Sequence, residues 1–425
     1  MKGGMKMSRL HSFICVASIF MACNTGGKST QVDNLLQPTS EPNSVQPASE
    51  PESEPASQPT SEPDSEPASQ PTSEPTSEPT SEPSSPMDTD AFTSIGMSIA
   101  PVNGFIDIPI HLSSQATSIM LSLRGKQETV VYEVIDPNGA VVFQASDWYT
   151  VPQYLTDAIF TSPTGERTFN WPVRASDPPL SQGQWLFTFF TNDTTSGGAN
   201  VDIAIKRDPQ PNFGTLKVTI GYTNDLSYLQ GFEEILDDAI AHWENLYSAY
   251  GITLDIEITP TSLSGAIPSP YDGDTSYYTL NSLGDDADIL VVLGENIDGY
   301  TDIFGMAGSV PGTTMRHTIG AVAISWLYAA GPDGGFDSID IRLLGETFAH
   351  EVGHYLGLPH VVEQSWAHYD ALGDTVECTS LEGCENSFSN NIMFPYPVCT
   401  TQDCIVQDQL STQQKGVLHL YTGVD

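Results

Sequence analysis

From Gln37 to Pro86 the chain is almost entirely Ser, Glu, Pro, Thr, Gln and Ala, with a proline every few residues. Proline fixes φ and removes a backbone donor, so neither a helix nor an inner strand can run through this tract. The repeat Ser-Glu-Pro-(Thr/Ala/Asp)-Ser-(Gln/Glu)-Pro is clearest from Ser49 to Pro83. It favours extended polyproline II, and its glutamates repel one another. At ~3.1 Å per residue such a segment reaches at most roughly 150 Å. The tract, 23–90 with its flanks, is therefore read as a stalk, and what packs a core must lie beyond it.

The segment before the stalk reads as an address. Lys2, Lys6 and Arg9 precede an apolar run, Ser12 to Ala22, that is too short to span a bilayer and matches a signal peptide over 1–22. It ends Phe20-Met21-Ala22-Cys23, which resembles a bacterial lipobox, and this implies lipidation at Cys23. Asn24 then points to the outer membrane. The net charge is −40, from 54 acidic and 14 basic residues, and most of the excess follows Met87. Such a chain repels nucleic acid and anionic lipid surfaces, so nucleic-acid partners are excluded and membrane contact is expected only through the lipid. Cys378, Cys384, Cys399 and Cys404 cluster near the C-terminus, as two disulfides of an oxidising compartment would. The sequence leaves all their pairings open. A Cys₄ zinc site is the alternative, but the spacings are not the usual paired Cys-x₂-Cys.

Residues 91–208 read as short strands with turn punctuation: Phe105 to Ile110, Ser118 to Leu123, Val130 to Ile135, Ala140 to Phe143, Trp185 to Phe190 and Val201 to Ile205. No helical period is sustained, which predicts an antiparallel β-sandwich. Tyr132 to Gly139 and the entry Gly183-Gln184-Trp185 resemble the pre-peptidase C-terminal type of domain that accompanies secreted bacterial peptidases. Residues 213–425 change pattern. Leu216–Ile220, Ile252–Ile258, Ala287–Leu293 and Ile319–Trp326 read as strands. Tyr228–Tyr250 reads as a helix with Phe232, Ile235, Leu236, Ala239, Ile240, Trp243 and Leu246 on one face. An α/β domain, in the α+β sense of a mixed twisted sheet, is the expectation.

Its chemistry is expected in His350-Glu351-Val352-Gly353-His354-Tyr355-Leu356-Gly357-Leu358-Pro359-His360. On a helix, His350 and His354 lie one turn apart on one face, the spacing that lets two imidazoles reach one Zn²⁺. Gly357 suits a sharp helix end at positive φ, which would bring His360 round as a third ligand. Three histidines leave one position open, the catalytic arrangement. Glu351, beside the first ligand, is placed to polarise a water as general base. Asp337 or Ser338 can cap the helix, and Leu343, Leu344, Phe348 and Val352 supply its core face.

This extended motif resembles that of the metzincin zinc peptidases. The resemblance implies a methionine turn beneath the metal, carried here by Met393 in Asn390-Asn391-Ile392-Met393-Phe394-Pro395, a C-terminal helix over Leu410–Leu420, and an edge strand, taken as Ile319–Trp326, that pairs with substrate backbone. Asp370-Ala-Leu-Gly-Asp374-Thr375 and the cysteine-flanked Met393 look most like the pappalysin group, some of whose members bind Ca²⁺. Val361 matches neither matrixins nor astacins, and Pro395 stands where other families place a tyrosine, so Tyr396 is the candidate for transition-state help. Structural Ca²⁺ is expected, if bound, at Asp272/Asp274, Asp333/Asp337 or Asp370/Asp374. The sequence thus predicts a secreted or surface-anchored, monomeric zinc endopeptidase acting on protein or peptide substrates.

Overall fold

The computed structural model describes residues 22–24, 87–88, 95–126, 129–145, 154–155, 166–207, 212–283, 289–300, 302–330, 334–364, 366, 368–400 and 403–424. The expected signal peptide and stalk lie outside the described residues, apart from the backbone of two short strands, β1 (Ala22–Asn24) and β2 (Met87–Asp88).

The next strands form two sheets. They are β3 (Ile95–Ile99), β4 (Phe105–Leu112), β5 (Ser118–Arg124), β6 (Thr129–Ile135), β7 (Val141–Gln144), the two-residue β8 (Tyr154–Leu155), β9 (Arg167–Trp171), β10 (Gly183–Thr191) and β11 (Ala199–Lys206). One sheet runs β2-β4-β10-β6-β7 and the other β3-β11-β5-β9, all antiparallel except the short β2–β4 contact. Alternation sets their faces: Ile106, Ile108, Ile110 and Leu112 of β4 and Trp185, Phe187 and Phe189 of β10 turn inward, into one core shared by both sheets. In β5 every residue but Arg124 is buried. Ile119, Leu121 and Leu123 enter that core, while Met120 and Ser122 serve the other face: Met120 joins the core of the C-terminal part, and the Ser122 hydroxyl bonds to Thr313 at 2.8 Å.

The C-terminal part is built on β12 (Gly214–Tyr222), β13 (Ile252–Pro260), β14 (Ile289–Gly294), β15 (Ile303–Ala307) and β16 (Val322–Ser325). Its order is β1-β15-β16-β14-β12-β13. Strands β13, β12, β14 and β16 are parallel, and β15 is antiparallel to β16. Strand β14 is buried throughout because both faces are covered: Val291 and Leu293 face the helices, Leu290 and Val292 a second cluster with Ile267 and Tyr277. The helix Phe232–Ser248 buries the predicted face, with Ile235 only partly covered. It starts at Phe232 and not Tyr228, since Gly231 stands at φ 76° and Leu226–Tyr228 is a separate 3₁₀ turn. Trp243 stacks on Phe348 of the helix Ser338–Tyr355, with ring centroids 5.4 Å apart, joining the two long helices.

One expectation is corrected. Ile319–Trp326 is not an edge: its strand portion, Val322–Ser325, lies between β14 and β15. The antiparallel strand on the site's side is Ile303–Ala307, and the backbone of Ala22–Asn24 pairs antiparallel along its outer side. The cysteines pair locally as Cys378–Cys384 and Cys399–Cys404. Among the described residues no helix is long and apolar enough to cross a membrane.

Candidate metal centre

The helix Ser338–Tyr355 opens with Asp337, whose carboxylate accepts from the amides of Ile339 and Asp340, while the Asp340 side chain returns the bond to the Asp337 amide. That capping box satisfies orphan donors of the first turn. Leu344, Phe348 and Val352 are fully buried against the sheet and the other long helix. The helix ends as a Schellman turn: the amide of Leu358 donates to Gly353 O at 3.0 Å and that of Gly357 to His354 O at 2.9 Å, with Gly357 at φ +106°. A side chain with a Cβ is strained at this φ, so glycine is what permits the reversal. The same turn presents Leu358 O to His354, whose Nδ1–H donates to it at 2.6 Å.

The three histidines are 4%, 0% and 1% exposed for His350, His354 and His360, so solvent solvates none of their rings. Each Nδ1 faces an atom that can only accept. His350 donates to Ile392 O at 2.5 Å, His354 to Leu358 O, and His360 to the Glu363 carboxylate at 3.0 Å. With the protons committed to Nδ1, every Nε2 carries a lone pair. Those of His350 and His354 lie 3.2 and 3.1 Å from that of His360. Burial, then the neighbouring His360, pushes His350 down to about 3 and drives His354 well below the ordinary imidazole range, so neither ring carries charge at neutral pH. Three buried lone pairs facing one another repel unless a cation sits among them. The donor set fits Zn²⁺, for which three imidazole nitrogens are a catalytic complement. Among the described residues this is the only group of three or more His, Cys, Asp or Glu side chains so gathered.

The loop carrying Met393 is the floor of this centre. Ile392 O holds His350, and Met393 O accepts the amide of Val361 at 3.1 Å, next to His360. Met393 is fully buried, and a Cβ on Gly353 would lie 2.7 Å from its sulfur, so the helix approaches the loop closely there. The loop is fixed in turn by Asn391, which accepts from the Met393 amide at 2.8 Å and is paired with the buried Gln414 of the helix Thr412–Leu420.

Glu351 is fully buried and lies against β15: a Cβ on Gly305 would stand 2.5 Å from its Cγ. Tyr396 and His350 line one cleft with Phe304, Glu346, Thr347 and Phe394. The Tyr396 hydroxyl donates to Glu385 at 3.2 Å, and burial together with that carboxylate keeps it protonated above the usual tyrosine range. Among the described residues the acidic pairs do not gather into a comparable group. Asp274 caps the helix Thr275–Leu280, Asp272 accepts from Tyr300, Asp337 caps the metal-bearing helix, and Asp333 lies outside the described residues. Asp374 accepts from Ser411 and Gln413. Asp370 is 2% exposed, and burial pushes its carboxyl up to about 7. The structure brings His350, His354 and His360 together, with Gly357 at the turn between the last two and Met393 packed beneath Gly353. Glu363, Gly305 and the Ile392 carbonyl are additions that the motif did not announce.

No protein-family model matches the chain. No curated protein matches it by sequence. Solved structures similar to it include archaemetzincin from Methanopyrus kandleri, 14% identical with a TM-score of 0.26, over 48% of this chain and 86% of that one. Metalloproteinase-II from Bacteroides fragilis is 16% identical with a TM-score of 0.28, over 51% of this chain and 60% of that one. Myroilysin is 15% identical with a TM-score of 0.23, over 49% of this chain and 92% of that one. Likeness at this level is too slight to carry function across, which leaves the geometry of the centre to speak for itself.

Proposed function

We propose that the chain is a zinc-dependent endopeptidase of metzincin type, most similar to the pappalysin group. The observation that carries this reading is the buried convergence of three Nε2 lone pairs whose rings are each fixed by an Nδ1 donor bond. A Zn²⁺ held there by His350, His354 and His360 supplies Lewis acidity and lowers the pKa of a water towards ~7. The protein's own groups do the rest. Glu351 takes the proton of the attacking water on its carboxylate and delivers it to the leaving amine nitrogen. Tyr396 is the proposed donor to the developing oxyanion, once substrate displaces its bond to Glu385. A peptide substrate is favoured over other hydrolysable classes because Glu351 lies against β15, a strand whose backbone can pair with an extended chain.

The same reading places the enzyme outside the cell: an outer-membrane lipoprotein anchored at Cys23, held off the surface by the proline-rich stalk, with a β-sandwich accessory domain over 91–208 and a peptidase domain over 213–425. Replacing Cys23 by Ala should move it from the membrane to the soluble fraction. Structural Ca²⁺ is proposed at Asp370/Asp374, where the Asp370 Oδ2 is buried with no hydrogen-bond partner. The deciding experiment is a casein or gelatin zymogram. Clearing should vanish with a chelator and return with stoichiometric Zn²⁺; clearing that survives exhaustive zinc removal would overturn the reading.

A further inference from the structure

We infer that Glu363 is a positioning residue of the metal centre, acting through His360; this rests on the reading of the three histidines as ligands. The three rings are not held alike. His350 and His354 sit on a helix and donate to backbone carbonyls of Ile392 and Leu358, whose places are set by the main chain. His360 comes after the helix has ended, so no helical periodicity aims its ring. Its Nδ1–H instead meets a side-chain carboxylate, Glu363 Oε1, at 3.0 Å. Glu363 is 5% exposed and His360 1%, so this contact is sealed from water.

The main chain around Glu363 fixes the carboxylate in turn. The Glu363 amide donates to His368 O and the Trp366 amide to Glu363 O, both at 2.9 Å, closing a reverse turn that continues into the bridge between Val362 and Tyr369. Among the described residues no Lys or Arg forms an ion pair with Glu363. Burying a carboxylate is an expensive arrangement unless opposite charge offsets it. It becomes favourable when a dication stands on the far side of the same imidazole. The carboxylate then fixes the tautomer that leaves Nε2 unprotonated, makes that nitrogen a better donor to the metal, and offsets part of the metal's charge. Glu363 thus accounts for a charge that the fold alone does not need.

The test is zinc affinity of the full chain, read by competition with a chromogenic chelator, and the visible spectrum of the Co²⁺-substituted protein. E363A should bind Zn²⁺ ten- to a hundred-fold more weakly than the parent. E363Q, whose amide oxygen can still accept from Nδ1–H, should recover part of that loss. In E363A the Co²⁺ bands should shift, which a merely structural defect leaving the ligands intact would not produce. If E363A fails to fold, E363Q against the parent decides, with a weakening of a few-fold or more expected. Affinity within two-fold of the parent and unchanged Co²⁺ bands in the folded variant would overturn the role. A parent that takes up no zinc, or an H360A variant that binds as the parent does, would instead overturn the metal centre itself.

Discussion

Glu351 touches something different from what its neighbours on the helix touch: the histidines face one another, whereas its Cγ lies against Gly305 of β15. It belongs with the substrate side of the site. E351Q keeps shape and loses the base, so kcat should fall by about 10²–10⁴-fold while one Zn²⁺ per chain is retained; metal analysis beside peptide kinetics checks both halves. Asp370 gives a second residue-level expectation. Its folded carboxyl is raised to about 7, above the ordinary value of 3.8, mainly by burial. Its contribution to stability is then full below pH 4 and lost as pH rises through 7. D370N should therefore melt at a higher temperature than the parent at pH 8 and show little difference at pH 4. Millimolar Ca²⁺ should raise the parent's melting temperature at pH 8 and leave D370N unmoved. The histidines, Glu351 and Gly357 were legible in the sequence because a helix and one turn connect them, and local periodicity needs no tertiary knowledge. Glu363 was not. A carboxylate three residues past a ligand looks like any surface acid until its burial is known.

At the scale of elements, the long helices and most strands follow the apolar periods of the sequence, and their ends follow capping chemistry at Asp337, Gly231 and Gly357. Strand order was not readable. Val322–Ser325 and Ile303–Ala307 are both fully buried, so composition cannot say which of them borders the site. That choice depends on non-local pairing, and here the antiparallel β15 takes the place assigned to the later strand. The consequence is testable through Gly305. A methyl group there would stand 2.5 Å from Glu351 Cγ and 3.0 Å from Cδ, so G305A must displace the carboxylate. Misplacement by about an ångström costs on the order of 10²-fold in rate. G305A should lose about that much in kcat, keep its zinc, and keep the parent's far-ultraviolet circular dichroism. Activity within three-fold of the parent would remove Glu351 from its assigned role or β15 from its assigned place.

At the scale of the molecule, the N-terminal sheets are tied to the C-terminal part by buried polar contacts. Lys206, at the end of β11, is 1% exposed, and its ammonium donates to His419 O in the last turn of the last helix at 2.8 Å and to Val424 O beyond that helix. Asn170 of β9 donates to Leu420 O at 3.0 Å and accepts from Thr422 at 2.7 Å. The helix so held, Thr412–Leu420, carries Gln414, whose partner Asn391 sets the loop of Ile392 and Met393 beneath the histidines. Removing the sheets would take these donors from the C-terminal part and expose to water the apolar surface that Met120 covers. Residues 213–425 expressed alone should therefore lack a cooperative urea transition, whereas 91–425 should show one. Within 91–425, K206M should lower the urea midpoint with little change in slope, because its long apolar chain fills the space but offers no donor. A fragment 213–425 that unfolds as sharply as 91–425 would mean that these contacts join two independently stable parts. The lost donors and the shared core at Met120 argue for the opposite outcome, in which the catalytic geometry depends on strands that contribute no residue to it.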